Sequence, residues 1–427
     1  MQHASTPRGP RRSRTARGLT ITASTSLLLA ALPSGVAAAG SSDTWVVHPG
    51  DSIQAAVDEA QSGDTIQIEA GTYKEAVCID GKGLTIVGAG RGEDGTKIVW
   101  PDWTTPDQLP EPAWTPCWEA QDSGDPESTP GTLSDDVSGL FFLNPDGPVR
   151  VRSLSTWNHP ANGIAAWGAN GFRVFKTLAH GHDRFGILAA DSTHTRISRN
   201  ILEGVDRGTA DAPNSGTAGI GSTDSELAYA DIVANDVQGY NLGIFARESR
   251  SGAIRSNYVS GNCVGILIFD DAATEIPDFS RTVEGGDWDV KWNESTANNR
   301  LCLAGIGEVE ASLRVSGTGM AVVNADSVSV SHNDIHDNVP AADPSTLQFP
   351  AGGLTLISLP PFNNAGGVDP GPVEQVTVTS NSITGNVPVD VLLSSPAVSQ
   401  FLLDVGEGIE FRGNTCGSSL PPEICAP

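Results

Sequence analysis

The stretch Phe185-Gly186-Ile187-Leu188-Ala189-Ala190-Asp191 is repeated, with variations, through the middle of the chain. The other copies lie at residues 162–167, 218–224, 242–248 and 264–270. Several glycines that open neighbouring copies follow a steady interval: 163 to 186 is 23 residues, 219 to 243 is 24, and 243 to 265 is 22. A fixed internal period of this length predicts a repeat architecture.

A second unit alternates with the first. It is a short β-branched run that ends on asparagine, as in Ile197-Ser198-Arg199-Asn200, and it recurs at residues 232–235, 254–257, 330–333 and 378–381. Each copy predicts a strand that ends in a turn. Two or three short strands per repeat, with no helical period, indicate a solenoid in which stacked coils bury the apolar face that one coil cannot bury alone.

The start of the repeat region resembles a known superfamily. Residues 46–57 (Val-Val-His-Pro-Gly-Asp-Ser-Ile-Gln-Ala-Ala-Val), 71–73 and 84–88 are similar to the entry coils of NosD-type and pectin-methylesterase-like proteins. The chain thus resembles, over roughly residues 44–416, a right-handed parallel β-helix of the pectin-lyase-like superfamily. The resemblance implies an all-β solenoid. It does not select an activity, because the superfamily includes lyases, hydrolases, esterases and epimerases.

Within the solenoid, residues 51–60 place Ile53, Ala56, Val57 and Ala60 on one face, which predicts a helix that caps the open N-terminal end of the stack. Long inserted loops are expected between the coils.

The first 39 residues have the pattern of a secretory signal peptide. They carry five arginines and no acidic residue, an apolar run at 27–32 and small residues at 36–39. Arg11-Arg12 leaves twin-arginine export open beside the general pathway. We therefore expect residues 40–427 to form one secreted, extracellular domain with an inserted loop at 101–138 and a C-terminal cap at 394–427.

The charge balance restricts the partners. The whole chain has a formal net charge of −26, and removing the five leader arginines leaves 20 basic residues against 51 acidic ones. So acidic a surface repels phosphate backbones and anionic lipid, which argues against nucleic acid and membrane partners. We expect a monomer, and calcium is the candidate cofactor.

Six cysteines in an exported chain predict disulfides. Nearest-neighbour pairing gives Cys78–Cys117, Cys263–Cys302 and Cys416–Cys425, and each pair would attach an insertion or the chain end to a coil. Other connectivities stay open. No two cysteines have the spacing of a zinc finger.

Strand alternation predicts which side chains of the repeat face outward. The residue after each glycine should form the core, a column of Ile164, Ile187, Ile220, Ile244, Ile266, Met320 and Leu354. The residues two and four after each glycine should face solvent, which makes Trp167, Phe245 and Phe269 candidates for binding substrate, together with Arg184.

Acidic residues, and in one repeat an asparagine, lie five positions after the repeat glycines. The column contains Asp191, Asp224, Glu248, Asp270 and Asn324. Stacked strands lie about 4.8 Å apart, so neighbouring carboxylates would raise one pKa or recruit a cation. We predict catalytic roles for Asp224, Glu248 and Asp270 with Arg247, and a calcium site at Asp270 and Asp271. The alternative is that these acids only cap turns.

One short segment concentrates titratable groups, His180-Gly181-His182-Asp183-Arg184. His182 and Asp183 could supply a general acid or base, and Arg184 could bind a carboxylate. The alternative is a polar turn between two strands.

The leading hypothesis is a secreted β-helix protein that binds and processes a polysaccharide along the Gly-Ile strands, as a lyase, hydrolase or epimerase. An acidic groove favours a neutral glycan. The arginine-proline motif of pectate lyases is missing, and only Gly181-His182-Asp183 echoes the epimerase signature. The alternatives are a non-catalytic extracellular structural or adhesion module and, by fold analogy with NosD-type proteins, metal delivery.

Overall fold

The computed structural model describes residues 42–101, 116–122, 137–208, 216–271, 284–306, 309–341, 348–360 and 369–425. The chain divides into two units, Met1–Ser41 and Ser42–Pro427. The first unit, with the predicted signal peptide, lies outside the described residues. Everything below concerns the second.

Each turn of the chain contributes one short strand to each of three parallel sheets. Sheet A contains Thr44–Val47, Thr65–Ile68, Thr85–Gly88, Arg150–Arg152, Arg173–Phe175, Arg196–Ser198, Ala230–Val233, Gly286–Lys291, Ser329–Ser331, Thr377–Thr379 and Glu410–Arg412. Sheet B contains Gly71–Lys74, Thr96–Val99, Ser155–Trp157, Leu178–His180, Ile201–Glu203, Asp236–Gln238, Tyr258–Ser260, Glu294–Thr296, Asp334–His336, Ser382–Thr384 and Thr415–Cys416.

Sheet C holds the Gly-Ile repeats. Its strands are Val77–Asp80, Leu140–Leu143, Ile164–Trp167, Phe185–Ala190, Ala218–Ser225, Val264–Phe269, Thr318–Val323, Gly352–Ile357, Val391–Leu393 and Ser419–Leu420. One long strand, Leu242–Arg255, pairs in sheet C with its first half and in sheet A with its second. Outside the three sheets, Cys302–Ile306 and Val309–Val315 form an antiparallel hairpin.

The core is the inner face of the three sheets. The predicted column after the repeat glycines is confirmed, since its members from Ile164 to Leu354 are at most 2% exposed and belong to one apolar cluster. The glycines are required because the chain is crowded at this corner. A Cβ atom at Gly243 would lie 2.4 Å from the carbonyl oxygen of Gly265 and 2.4 Å from the side chain of Val259.

The predicted capping helix forms as α1, Ile53–Glu59. The Ser52 hydroxyl accepts a hydrogen bond from the Ala55 amide at 3.1 Å, which satisfies one of the free donors of the first turn. Ile53 and Val57 are buried in the core beside the first coil. The helix therefore covers one end of the apolar column. Among the described residues, no helix is long and apolar enough to cross a membrane.

An asparagine ladder runs along the corner between sheets A and B. Each side-chain amide bonds to the asparagine of the next coil and to a backbone carbonyl, through Asn200, Asn235, Asn257, Asn293, Asn333, Asn381 and Asn414. The residue before many of these asparagines has a left-handed backbone conformation, for example Arg199 with a φ of 56°. A second ladder follows sheet B, at Asn262, Asn298, Asn338 and Asn386. Both ladders satisfy turn backbone groups that the strands leave unpaired.

The structure has the three disulfides expected from nearest-neighbour pairing, Cys78–Cys117, Cys263–Cys302 and Cys416–Cys425, with Cα–Cα distances of 5.9, 6.0 and 5.3 Å. The first holds a second helix, α2 at Pro116–Asp122, against the outer face of sheet C. The second holds the hairpin against the same face farther along. Both ends of this outer face are therefore covered by apolar contacts.

The segment predicted as a C-terminal cap mostly builds another coil. Glu410–Arg412, Thr415–Cys416 and Ser419–Leu420 pair with the preceding strands of sheets A, B and C. A short 3-10 helix at Pro422–Ile424 then follows. Within the predicted insertion at 101–138, residues 102–115 and 123–136 lie outside the described residues.

We predict that Asn257→Ala destabilises the fold by about 2–3 kcal/mol, because it leaves buried donors of Asn235 without an acceptor. The Asn257 side chain donates to the Ile232 carbonyl and to Asn293, and it accepts from the Asn235 amide and side chain. Chemical denaturation measures the change. Asn414→Ala, at the half-buried end of the ladder, is the matched control and should cost less. Equal losses would contradict a cooperative ladder.

Candidate functional site

The middle of the outer face of sheet C lies between the two apolar covers. Aromatic and aliphatic side chains line it there. Phe245 and Phe269 stack with ring centroids 6.4 Å apart and an interplanar angle of 27°. The ring of Phe185 lies over Gly221, where a Cβ atom would meet it at 2.6 Å. We call Phe185, Leu188, Phe245, Leu267 and Phe269 the apolar platform.

Trp167 marks one border of the platform. It is half-buried and packs at the edge of the cover formed by α2, in the same cluster as Leu188. Ala165, which also faces outward, is fully buried by that cover. The groove expected along all the Gly-Ile strands is therefore limited, among the described residues, to its middle coils.

At the far end of the platform, Arg247 and Asp271 form an ion pair. The Arg247 Nε lies 3.2 Å from each carboxylate oxygen of Asp271, and its Nη2 lies 2.7 Å from Oδ2. The two side chains are only 11% and 13% exposed. A fork of this kind is among the stronger charge-assisted contacts in proteins, so it holds the Asp271 carboxyl in one position beside Glu248.

Glu248 lies beside this ion pair. It is 3% exposed, and its Oε1 atom is buried without a hydrogen-bond partner among the described residues. Burial raises the pKa of Glu248 to about 9, with a further increase from the hydrogen bond and charge of Asp271; the charge of Arg247 opposes this, and that of Asp224 adds slightly. Glu248 therefore holds a proton at neutral pH.

The backbone at the strand end explains most of the predicted acid column. Asp191, Asp224 and Asn324 have φ values of 42°, 53° and 54°, a left-handed turn conformation that Asp and Asn tolerate well. Glu248 has the same conformation, with a φ of 44°. A glutamate lacks the short side chain that eases this conformation, so Glu248 is the strained member of the column.

Asp270 and Asp271 do not converge on a common ligand. The Asp270 Oδ2 accepts the Gly285 amide at 2.9 Å, whereas Asp271 is bound by Arg247. In the part of the chain that the structure describes, no group of three or more His, Cys, Asp or Glu side chains is arranged to hold a metal ion. The geometry thus adds no support for the calcium site expected at this pair.

His182 belongs to the interior of the opposite corner. It is 1% exposed, its Nδ1 accepts the His159 amide at 3.1 Å, and its Nε2 lies 3.1 Å from the Thr156 carbonyl oxygen. Burial lowers its pKa well below the usual histidine value. The structure therefore places a neutral, hydrogen-bonded histidine here instead of a proton donor facing the platform.

The neighbours of His182 also face away from the acid cluster. Asp183 forms an ion pair with Arg207, and Arg184 is exposed at the strand start. A strand of six residues separates this corner from the acid column, which is about 20 Å at 3.3 Å per residue. The two groups of candidate residues therefore cannot act on one atom.

Comparison with known proteins supports the architecture. The family model described as a right-handed β-helix region matches residues 162–358. The molecule is a right-handed parallel β-helix. A comparison with the sequences of curated proteins finds no match.

Solved structures with a similar fold are distant from this β-helix. A mutant of the periplasmic alginate epimerase AlgG is 12% identical with a TM-score of 0.49, and the match covers 83% of this chain and 69% of that one. The Dettilon tailspike protein is 14% identical with a TM-score of 0.47, covering 88% and 58%. The catalytic domain of a GH87 α-1,3-glucanase is 16% identical with a TM-score of 0.43, covering 87% and 65%. At these values the similarity carries no information about substrate or reaction.

Sequence reasoning missed two features of the site. It gave Arg247 a catalytic role beside the acid column and assigned Asp271 to a metal, and the pairing of these two residues depends on how adjacent coils stack. It also overlooked Phe185, because the platform exists only where Gly221 leaves room on the next strand. The sequence did contain a signal for this platform, because Gly221 stands at a position where the other repeats carry a side chain.

We predict that Glu248→Gln removes a pH dependence of stability. An unfolded glutamate titrates at about 4.3, well below the pKa of about 9 in the folded state. Between these values the folded protein binds more protons than the unfolded chain, so the free energy of unfolding of the wild type falls as pH rises. Glutamine mimics the protonated acid and should flatten this fall.

Chemical denaturation from about pH 5 to about pH 9 checks the slope. The exposed Glu59, the last residue of α1, provides the control variant Glu59→Gln. That variant should keep the wild-type slope. An unchanged slope in Glu248→Gln would show that Glu248 is not the protonated group.

Proposed function

We propose that this protein binds a polysaccharide along the apolar platform and cleaves it by glycoside hydrolysis, with Glu248 as the proton donor. The observation that carries the proposal is the buried Glu248 carboxyl, which bonds to Asp271 while its Oε1 meets no partner in the described part of the chain. An unsatisfied buried carboxyl costs free energy and is typical of a functional site.

The platform supports a sugar as the ligand. Pyranose rings have apolar faces that stack on aromatic rings, and the half-buried Phe185 and Phe269 present such rings beside polar groups. Phe245, predicted to face solvent, is only 8% exposed and instead supports the ring of Phe269 by stacking on it. Binding sites commonly combine an apolar lining with a few convergent polar groups. From the Phe185 strand to the Val264 strand the platform spans three strand steps, about 14 Å. That length suits a short segment of a glycan.

The acid cluster supports acid catalysis. A glycosidase needs one carboxyl that is protonated at the working pH and a second that is ionised. Glu248 would protonate the glycosidic oxygen as its bond to the anomeric carbon breaks. Asp224, on the preceding coil about 4.8 Å away, would attack the anomeric carbon and form a glycosyl-enzyme bond. Water, deprotonated by Glu248, would then hydrolyse that bond and release the sugar. Asp271 and Arg247 would hold Glu248 in place, and the net acidity of the chain favours a neutral glycan.

The disulfide-bonded cysteines support a proposal about the cellular compartment in which the protein works. All three disulfides join residues within the β-helix, and such bonds persist in oxidising environments. We therefore propose that the protein works outside the cytoplasm on an extracellular polysaccharide.

A degradation screen on neutral and acidic polysaccharides tests the function. We expect new reducing ends from a neutral glycan, and we expect Glu248→Gln to lower turnover by about 100-fold or more, the usual effect of losing a general acid. Binding of the same glycan should survive in that variant. Phe185→Ala should instead weaken binding, and Glu59→Gln should behave as wild type.

The readouts separate the alternatives. Unsaturated products that absorb in the ultraviolet would replace hydrolysis by lyase chemistry. Full activity in Glu248→Gln would contradict its role as proton donor. Absence of both binding and turnover across the panel would contradict the proposal as a whole and favour a non-catalytic structural or adhesion module.

A further inference from the structure

Three successive strands of sheet A are basic and contain no acidic residue. Their segments read Val-Arg-Val-Arg-Ser-Leu at 149–154, Phe-Arg-Val-Phe-Lys-Thr at 172–177 and Thr-Arg-Ile-Ser-Arg-Asn at 195–200. The strand register places Arg150 beside Arg173, and Arg173 beside Arg196. All three arginines are exposed on the outer face. The residues that follow them, Val151, Val174 and Ile197, point inward and belong to the core.

The first two arginines of this row differ from the third in their charge environment. Neither Arg150 nor Arg173 forms an ion pair with any residue that the structure describes, whereas Arg196 lies 3.0 Å from Asp231. Like charges on adjacent strands destabilise a sheet. The fold therefore gains nothing from stacking these arginines.

Later strands of the same sheet show the ordinary arrangement. Arg255 binds Asp231 at 2.8 Å, Lys291 binds Asp289, and Arg412 binds Glu410 at 2.6 Å. Acidic and basic side chains thus neutralise one another on these coils. Within the described strands of sheet A, positive charge without a paired acid lies on the strands that begin at Arg150 and Arg173, and Arg196 extends their row.

Further cations extend the row toward the corner with sheet B. The Lys176 Nζ lies 5.1 Å and the Arg199 guanidinium 5.9 Å from the centre of the Phe175 ring. Arg91 reaches the same corner, where its Nη1 donates to the Arg199 carbonyl at 2.8 Å. We call this surface the basic face; it consists of Arg91, Arg150, Arg152, Arg173, Lys176, Arg196 and Arg199.

The basic face stands out against the rest of the molecule. The chain has a formal net charge of −26, yet six of the 20 basic residues beyond the leader fall in these three six-residue segments. At physiological salt the Debye length is about 8 Å. Acidic groups elsewhere on the molecule are therefore largely screened from a ligand in direct contact with this face.

We propose that the basic face binds an anionic polysaccharide, one that carries carboxylate or sulfate groups along a linear chain. Arginines on neighbouring strands repeat about every 4.8 Å, which makes a row about 10 Å long from Arg150 to Arg196. Guanidinium groups bind such oxyanions through paired hydrogen bonds. Phe175 adds an apolar surface for a sugar ring.

A linear glycan fits this surface better than a nucleic acid. Duplex DNA carries one charge per roughly 1.7 Å of its length, so it would meet much stronger repulsion from the acidic remainder of the protein. The site is separate from the sheet C platform and is independent of the function proposed there. It would anchor the protein on an anionic matrix while the platform remains accessible.

Titration calorimetry with polygalacturonate at low salt tests the proposal. We expect wild-type binding that weakens as salt is added, and at least a ten-fold loss of affinity in the double variant Arg150→Ser, Arg173→Ser. The matched control is Arg255→Ser, Lys291→Ser in the same sheet, which should retain wild-type affinity. Thermal unfolding of each variant checks the fold, and Arg150→Lys, Arg173→Lys should keep part of the affinity.

Several results would overturn the proposal. They are no binding of wild type to polygalacturonate or to dextran sulfate, equal binding to uncharged dextran, equal or tighter binding to a short DNA duplex, and salt-sensitive self-association that the double variant abolishes. Glu248→Gln and Phe185→Ala should leave polygalacturonate binding unchanged. Its loss in those variants alone would place the ligand on the sheet C platform and would contradict a site on sheet A.

Discussion

The register between stacked coils governs the whole molecule. Each strand must place its inward side chain directly over that of the preceding coil, and a shift of one residue would turn the whole apolar set outward. The isoleucines after the repeat glycines meet in this way, as do the asparagines of the ladder. Because every coil repeats the contact, insertions can leave and rejoin the stack without disturbing the core.

The same constraint explains why chemistry concentrates at the strand ends and on the outer faces. Interior positions are fully committed to packing, so the polar residues that can vary lie at the turns and on outward columns. Asp191 and Asn324 serve the left-handed turn itself. Glu248 occupies the same position at greater cost, and its burial together with the neighbouring Asp271 keeps its proton in place.

The outer faces of the two sheets carry different kinds of surface. On sheet C, disulfide-anchored segments cover both ends and leave an apolar platform beside an acidic cluster. On sheet A, three coils present arginines in register while later coils pair their charges. A β-helix can combine such surfaces because outward residues on one sheet do not affect the register on another. The net charge of −26 conceals this division.

The order of amino acids alone was enough to predict the repeat, the core column and the capping helix, because these depend on local alternation and on a period visible along the chain. It also indicated which residues face outward, including Phe245 and Arg247. Which outward residues stay accessible depends on the folded stack, since α2 covers Ala165 and the cluster that contains the base of the hairpin also buries Val323. The burial of His182, the pairing of Asp271 with Arg247 and the alignment of three arginines on one face arise in the same way. These outcomes depend on contacts between coils, and the sequence of a single strand does not determine which residues of other coils will lie beside it.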